Sequence, residues 1–339
     1  MILRPKPSRR HHATLAGAPS TAPMTTVPAW LRRAVPDAQG LASKDVEDVA
    51  LVVGAAIGAL DAVVRRQARW AGAWRQRLAL SAAAVTAKQA GRVEDESALR
   101  DAVLLTRPGD NVGPAGLLLL AWRRLAVRPP EDLLTENNLA GVLEDLGHAH
   151  DDEAVSDLAD ELRQLAVSVD TVGMLTGAFM AAERHSFGRT VGAWLADALL
   201  AQRLGWTHAI PLLGGEVALA VGTGRPRRPV SAAPAAGADT EADRAKSLLA
   251  AQARAALRAI DLSAELERRA DRLLAVAPKL RAKAADAVVG KLLSDDAIVA
   301  SENIAGMSDR GLRRLFDRLV ELGAVRELSG RPAFRIYGL

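Results

Sequence analysis

An all-α fold is predicted: a multi-helix body followed by a short C-terminal segment that carries a small β-hairpin. Three observations predict it. The 339-residue chain is 49% hydrophobic, mostly Ala, Leu and Val, and Ala and Leu are good helix formers. Aromatic residues make up only 3% of it, with one Tyr and four Phe, whereas sheets draw on β-branched and aromatic side chains. From Lys44 to about Gly222, apolar residues recur at three- and four-residue spacing, the period of a helix with one buried face. The length exceeds one ordinary small domain, so two or three are expected, with a sizeable core.

Residues 1–29 are basic and rich in Pro, Ser and Thr. They read as a disordered tail, or as an over-long start with Met24 as the initiator. The helical body spans 30–222. "KDVEDVALVVGAAIGALDAVVRRQ" has acids at its start and bases at its end, as the helix dipole prefers. "WAGAWRQRLALSAAAVTAKQA" places Trp70 and Trp74 four apart, on one helical face. "VEDESALRDAVLL" opens a helix with acids in its first turn. "TRPGDNVGPAG" reads as a loop by its Pro and Gly, and "LLLLAWRRLAV" as a buried helix ending at "RPP". Three or four more helices follow, including "SDLADELRQLAVSV" and "TVGAWLADALLAQRLG", before "GWTHAIPLLGGE" breaks the pattern. Residues 223–240 form a Pro/Ala/Gly linker with a small basic run. A long connecting helix, 241–277, runs from Glu241 to Val276, and Pro278 interrupts it. Its apolar stripe suits docking on the body or a two-helix dimer seam, so a homodimer is one expected assembly.

Residues 278–339 hold the most informative stretch. A helix to about Leu293 is followed by an extended run at Ile298–Val299. "SENIAGM" reads as a short second helix with Ser301 as its N-cap. "SDRGLRRLFDRLVELG" reads as a third helix capped by Ser308 and stopped by Gly323. Its expected apolar stripe is Leu312, Leu315, Phe316, Leu319, Val320 and Leu322. "AVREL" and "AFRIYGL" are two short strands joined by the turn former "SGRP". Helix, helix, recognition helix and hairpin is the order of a winged helix-turn-helix. The first exposed turns of a third helix can enter a major groove, where Arg makes paired hydrogen bonds to guanine edges. Arg310, Arg313 and Arg314 are the candidates there, beside the Ser308 cap. Arg331 and Arg335 are the candidates for backbone phosphates. Between Ser308 and Arg335 seven Arg face four acids.

Composition removes several function classes. There are no cysteines, which excludes disulfides, thiolate metal sites and a Cys nucleophile and suits a reducing cytoplasm. The net charge of +4 permits nucleic-acid binding without demanding it. The apolar stretch Val49–Leu60 is shorter than the roughly 20 residues that span a bilayer, so no membrane partner is expected. The first residues lack the apolar run of a secretory signal.

Two resemblances follow from these stretches. "IAGMSDRGLRRLFDRLVELGAVRELSGRPAFRIY", with Ala305, Ser308, Leu315, Leu319 and Gly323, resembles the winged helix appended to many Fic-type proteins. From about Trp30 onward the chain resembles a bacterial family catalogued as domain of unknown function 1403. "WAGAWRQRLAL", "AGRVEDESALRDAVLLTRPGDNVGPAG", "LAQRLGWTHAIPLL" and "LLAVAPKLRAKAADAVVGKLLSDDAIV" carry that likeness. It implies an architecture and no chemistry.

Other stretches hold residue types capable of chemistry. "ERHSFGRT" holds a fragment of a Fic motif, but the Pro, the acid and the Gly-rich anion cradle are missing; a helix–helix turn with an exposed His185 is the reading. "GHAHDDE", with His148, His150, Asp151, Asp152 and Glu153, reads as a polar loop, because no second His cluster accompanies it. "VEDESALRD" (Glu94, Asp95, Glu96, Arg100, Asp101) could hold a cation or a basic partner, above all if Arg75, Arg77 and Asp110 converged on it. Dipole-favoured acids at a helix start are the plainer reading. In "RRQARWAGAWRQR" core Trp and solvated Arg are expected. No catalytic motif, metal site or cofactor is predicted. The expected function is a cytoplasmic double-stranded-DNA-binding regulator of transcription or an accessory factor, with the body supplying dimerisation or a partner or ligand input. The alternative is a non-enzymatic scaffold whose winged helix docks a protein.

Overall fold

The computed structural model describes residues 27–35, 44–107, 109–167, 170–216, 241–280, 284–331 and 333–339. The expected linker at 223–240, Met24 and most of the N-terminal tail lie outside the described residues. No described helix is long and apolar enough to cross a membrane.

The fold is mostly helical. A short α1 (Ala29–Ala34) precedes α2 (Val46–Arg65), α3 (Ala71–Gln89), α4 (Glu96–Leu104) and α5 (Gly113–Val127). The expected loop before α5 is shorter than its Gly and Pro content suggests. Gly113 and Pro114 begin the helix instead, since Pro suits a first helical turn whose N–H groups have no partner. Five further body helices follow: α6 (Pro130–Leu133), α7 (Glu136–Asp145), α8 (Asp152–Ala166), α9 (Thr171–Arg184) and α10 (Gly188–Leu204). The break after α10 is real. The chain runs without regular structure to a single turn at Leu213–Gly215, tied down by Asp197 of α10. That carboxylate is buried and accepts the backbone N–H of Leu212 at 2.7 Å and of Leu213 at 3.0 Å. Burial pushes its pKa well above the usual carboxylate range, with the N–H groups acting against the rise.

The long helix α11 (Glu241–Val276) ends where Pro278 opens a short 3-10 turn. It is docked on the body along its apolar stripe, with Leu249, Ala256, Ile260 and Leu266 buried. Polar ties fix its register. Trp74 Nε1 donates to Ala259 O at 2.9 Å, Arg66 pairs with Glu267 at 2.5 Å, and Arg32 of α1 grips Asp261.

The last segment contains α12 (Ala285–Ser294), β1 (Ile298–Val299), α13 (Asp309–Glu321), β2 (Arg326–Glu327) and β3 (Ile336–Gly338). The strands form one antiparallel sheet in the order β1-β3-β2, with Ile298 opposite Tyr337 and Glu327 opposite Tyr337 on the other edge. The expected second helix at 301–307 is absent. Glu302 N bonds to Val299 O, Met307 N bonds to Ile304 O, and Gly306 sits at φ +81°, so the segment is a pair of turns. A helix this short gains too few bonds to offset its nucleation cost, and a left-handed Gly ends it.

This segment is fastened to the body. Leu104 and Leu105 at the end of α4 pack against Ala297, Val299 and Ile336 of the sheet. Beneath them Asp296, 1% exposed, accepts Arg100 Nε at 2.6 Å and a second bond from Arg77 Nε. Burial alone would raise the Asp296 pKa. The charges and hydrogen bonds of Arg77 and Arg100 outweigh it and hold the carboxyl below its usual range. Arg123 of α5 feels the same carboxylate, although burial lowers its pKa.

Candidate nucleic-acid interface

The surface of α13 follows from its sequence. Ser308 caps it by accepting the N–H of Gly311 at 3.2 Å. Gly323, at φ +64°, ends it, and Ala324 N reaches back to Leu319 O at 2.9 Å. Leu312, Leu315, Phe316 and Leu319 are buried, and the Phe316 ring stacks on Tyr337 of β3 at 4.3 Å. Val320 and Leu322, expected in the same stripe, are 40% and 38% exposed.

The opposite face carries Arg310, Arg313 and Arg314, all exposed. Among the described residues none of the three has an ion-pair partner, whereas Arg318 pairs with Glu321 at 2.6 Å. The hairpin cations are differently placed. Arg331 is half-buried and donates both Nη groups to Asp101 of α4, at 2.6 and 2.8 Å, and that pairing raises its pKa. Arg335 is also half-buried; it lies 3.7 Å from Asp317 and 3.8 Å from Glu327. Tyr337 first, then those acids, hold its pKa up.

Between α13 and the hairpin lies a cleft of about 410 Å³ lined by Ser301, Arg313, Asp317, Phe334 and Arg335. Phe334 is 69% exposed and adopts φ +53°, a conformation that costs a bulky side chain energy. Its sequence gave no hint of this, since a Phe in "AFRIYGL" reads as an ordinary strand residue.

The other candidates disperse. The acids of "VEDESALRD" are committed singly: Glu94 to Arg92, Asp95 to the N-cap of α4 through Ala98 N at 2.9 Å, and Asp101 to Arg331. Arg75 does not join them; its Nε donates to Ala126 O at 2.8 Å. His185, expected to be exposed, is half-buried, stacked on Phe187 with ring centroids 6.0 Å apart and 3.6 Å from Glu161. In "GHAHDDE", Asp151 caps α8 through Ala154 N at 2.8 Å and His150 reaches Ala140 O. No three metal-ligating side chains come together among the described residues. Trp70 and Trp74 are core residues, and Arg65 is spent on Asp61 and Leu204 O.

A family model described as protein of unknown function (DUF1403) matches residues 18–339. The chain belongs to this family. No curated protein and no solved structure matches it. The match spans the body and the C-terminal segment together and assigns no chemistry to either.

Proposed function

We propose that the protein is a cytoplasmic DNA-binding regulator or accessory factor, holding double-stranded DNA with residues 278–339 as a winged helix-turn-helix. The row Arg310, Arg313 and Arg314 carries this reading. Three exposed cations with no carboxylate partner among the described residues stand on the first turns of a capped helix, the part that enters a major groove in such proteins. The strand order β1-β3-β2, with β2 and β3 as the wing, supports the fold assignment. Turns at 301–307 stand where the second helix would be. Since Arg331 is held by Asp101, phosphate contact falls to Arg335 and to the arginines of α13. The helical body then serves dimerisation or a partner or ligand input.

The test is a salt titration of binding to random duplex DNA, wild type beside the Arg310/Arg313/Arg314→Ala variant. Wild type is expected to bind with a log–log slope near −0.9 for each phosphate neutralised, and the variant to lose about tenfold or more in affinity with a shallower slope. Absence of binding at low salt by the folded protein would refute the reading. It would turn attention to a docked protein, for which the exposed Val320 and Leu322 are the apolar candidates.

Phe334→Gly separates structure from binding. Glycine relieves the positive φ and gives up little buried surface, so unfolding stability is expected to stay within about 0.5 kcal/mol of wild type. Duplex affinity is expected to fall, because the ring that borders the cleft is gone. Stability by chemical denaturation and affinity by fluorescence anisotropy are read on the same sample.

A further inference from the structure

The helical body contains a second cavity, distant in sequence from the α13 surface, with a volume of about 280 Å³. It lies between the end of α2, the first turns of α3 and the irregular stretch after α10. Val64, Trp74 and Ile210 give it an apolar wall, and Arg75, Thr207 and His208 give it polar groups. Arg75 is the unusual member. Its Nε–H donates to Ala126 O at 2.8 Å, which fixes the plane of the guanidinium. Its two Nη groups make no hydrogen bond to a described residue, and no described carboxylate pairs with it. A guanidinium withdrawn from water is normally matched by an anion. Here the described residues supply none, and burial alone pushes the Arg75 pKa down. The His208 imidazole has its pKa lowered, by burial first and then by Arg75, with Glu131 acting the other way. It is a neutral donor and acceptor beside the cation.

We propose that this cavity binds a small organic carboxylate, with the outer edge of the Arg75 guanidinium as its anchor. The free edge offers two parallel N–H groups spaced for the two oxygens of a carboxylate. The Trp74 ring, Val64 and Ile210 take the apolar body of the acid, and Thr207 and His208 offer uncharged hydrogen bonds at its rim. The volume falls just under the range of about 300–1,000 Å³ typical of drug-sized ligands, which restricts the ligand to a small acid. One cation with a neutral histidine suits a monoanion; a phosphate dianion would leave a charge uncompensated in a partly apolar site. This site stands apart from the DNA reading, and neither needs the other.

The experiment is isothermal titration calorimetry of the full chain with benzoate, phenylacetate and hexanoate, beside benzamide and inorganic phosphate. At least one carboxylate is expected to bind, benzamide and phosphate are not, and Arg75→Gln is expected to weaken the carboxylate about tenfold or more. His208→Trp, which fills the cavity from its rim, is expected to abolish binding while leaving Arg75 in place. Circular dichroism confirms that each variant is folded. The comparison of acid with amide uses wild type alone, so it decides the question even if a variant fails to fold. Failure of every carboxylate to bind, equal binding of benzamide, preference for phosphate, or undiminished binding by folded His208→Trp would each overturn the proposal.

Discussion

Asp296→Asn is expected to destabilise the protein by about 3–5 kcal/mol, the cost of removing one partner from a buried ion pair. The side chain keeps its shape, so the loss is electrostatic. Arg77 and Arg100 remain in place with one of their two side-chain hydrogen bonds turned against an amide N–H₂, and Arg123 loses the stronger-acting of the two carboxylates, Asp296 and Asp295, that work against its burial. Asp295→Asn is the control. Asp295 is more exposed and sits 3.8 Å from Lys291, so it should change stability by less than about 1 kcal/mol. The pH dependence has a definite sign. A carboxyl whose pKa is lower in the fold than in the unfolded chain stabilises at neutral pH and loses that contribution as pH falls. Stability from Asp296 should therefore be complete above about pH 5 and decline below about pH 4, while the Asn variant lacks this acid-dependent part. Asp197 acts in the opposite direction, because its raised pKa favours the protonated fold. The difference between wild type and Asp296→Asn across pH isolates the Asp296 contribution. A variant within about 1 kcal/mol of wild type at pH 7 would show that the cluster is not what fastens the C-terminal segment.

Local signals in the chain were readable because they act locally. The α11 helix runs from Glu241 to Val276; its charged start and apolar stripe lie within the element, and Pro278 stands just past its end. The Ser308 cap and the Gly323 stop are likewise contained within a few residues of the helix they bound. Ile298–Val299 reads as a short apolar extended run after the helix that ends near Leu293, and it pairs with β3. The failures are of another kind. "SENIAGM" has helix-compatible residues and a plausible cap, but Gly306 takes a left-handed conformation and the segment turns instead. Val320 and Leu322 continue the apolar period of the α13 region, yet they stay 40% and 38% exposed, and period alone does not say where the packed surface ends.

Side-chain partnerships were less legible still. Arg331 looked like a phosphate contact because its neighbours in sequence are a turn and a strand. Its actual partner, Asp101, is 230 positions away, and no one-dimensional pattern joins them. The same distance hides the cluster at Asp296, whose arginines come from α3 and α4. The acidic stretch Glu94–Asp101 is dense in charge along the sequence, but Glu94, Asp95 and Asp101 face different partners, so that density carries no joint meaning. Arg310, Arg313 and Arg314 differ from all of these. They lie at helical spacing on the polar face of one strongly amphipathic element, and their exposure follows from the burial of Leu312, Leu315 and Phe316.

Gly72→Ala is expected to cost about 2–3 kcal/mol, large for the addition of one methyl group. A Cβ at this position would lie 2.6 Å from Ser294 O and 2.8 Å from Ser294 Cα. Both atoms are backbone, so no side-chain rotation can relieve the clash, and α3 and α12 must separate. Gly54→Ala provides the contrast: it lies exposed within α2, with nothing within 4 Å of its added Cβ, and it should stabilise by about 0.5–1 kcal/mol through helix propensity. The position of Gly72 makes the clash informative beyond its own cost. Arg77 follows it on α3, and Asp296 follows Ser294 by two residues, so parting the helices at Gly72 also pulls Arg77 from its carboxylate. The Gly72→Ala and Asp296→Asn changes should therefore be non-additive, the double variant losing less than the two single losses combined. Additive losses would mean that the close backbone approach and the buried ion cluster hold the C-terminal segment independently. Non-additive losses would make them one fastening, set by how near α3 and α12 are allowed to come.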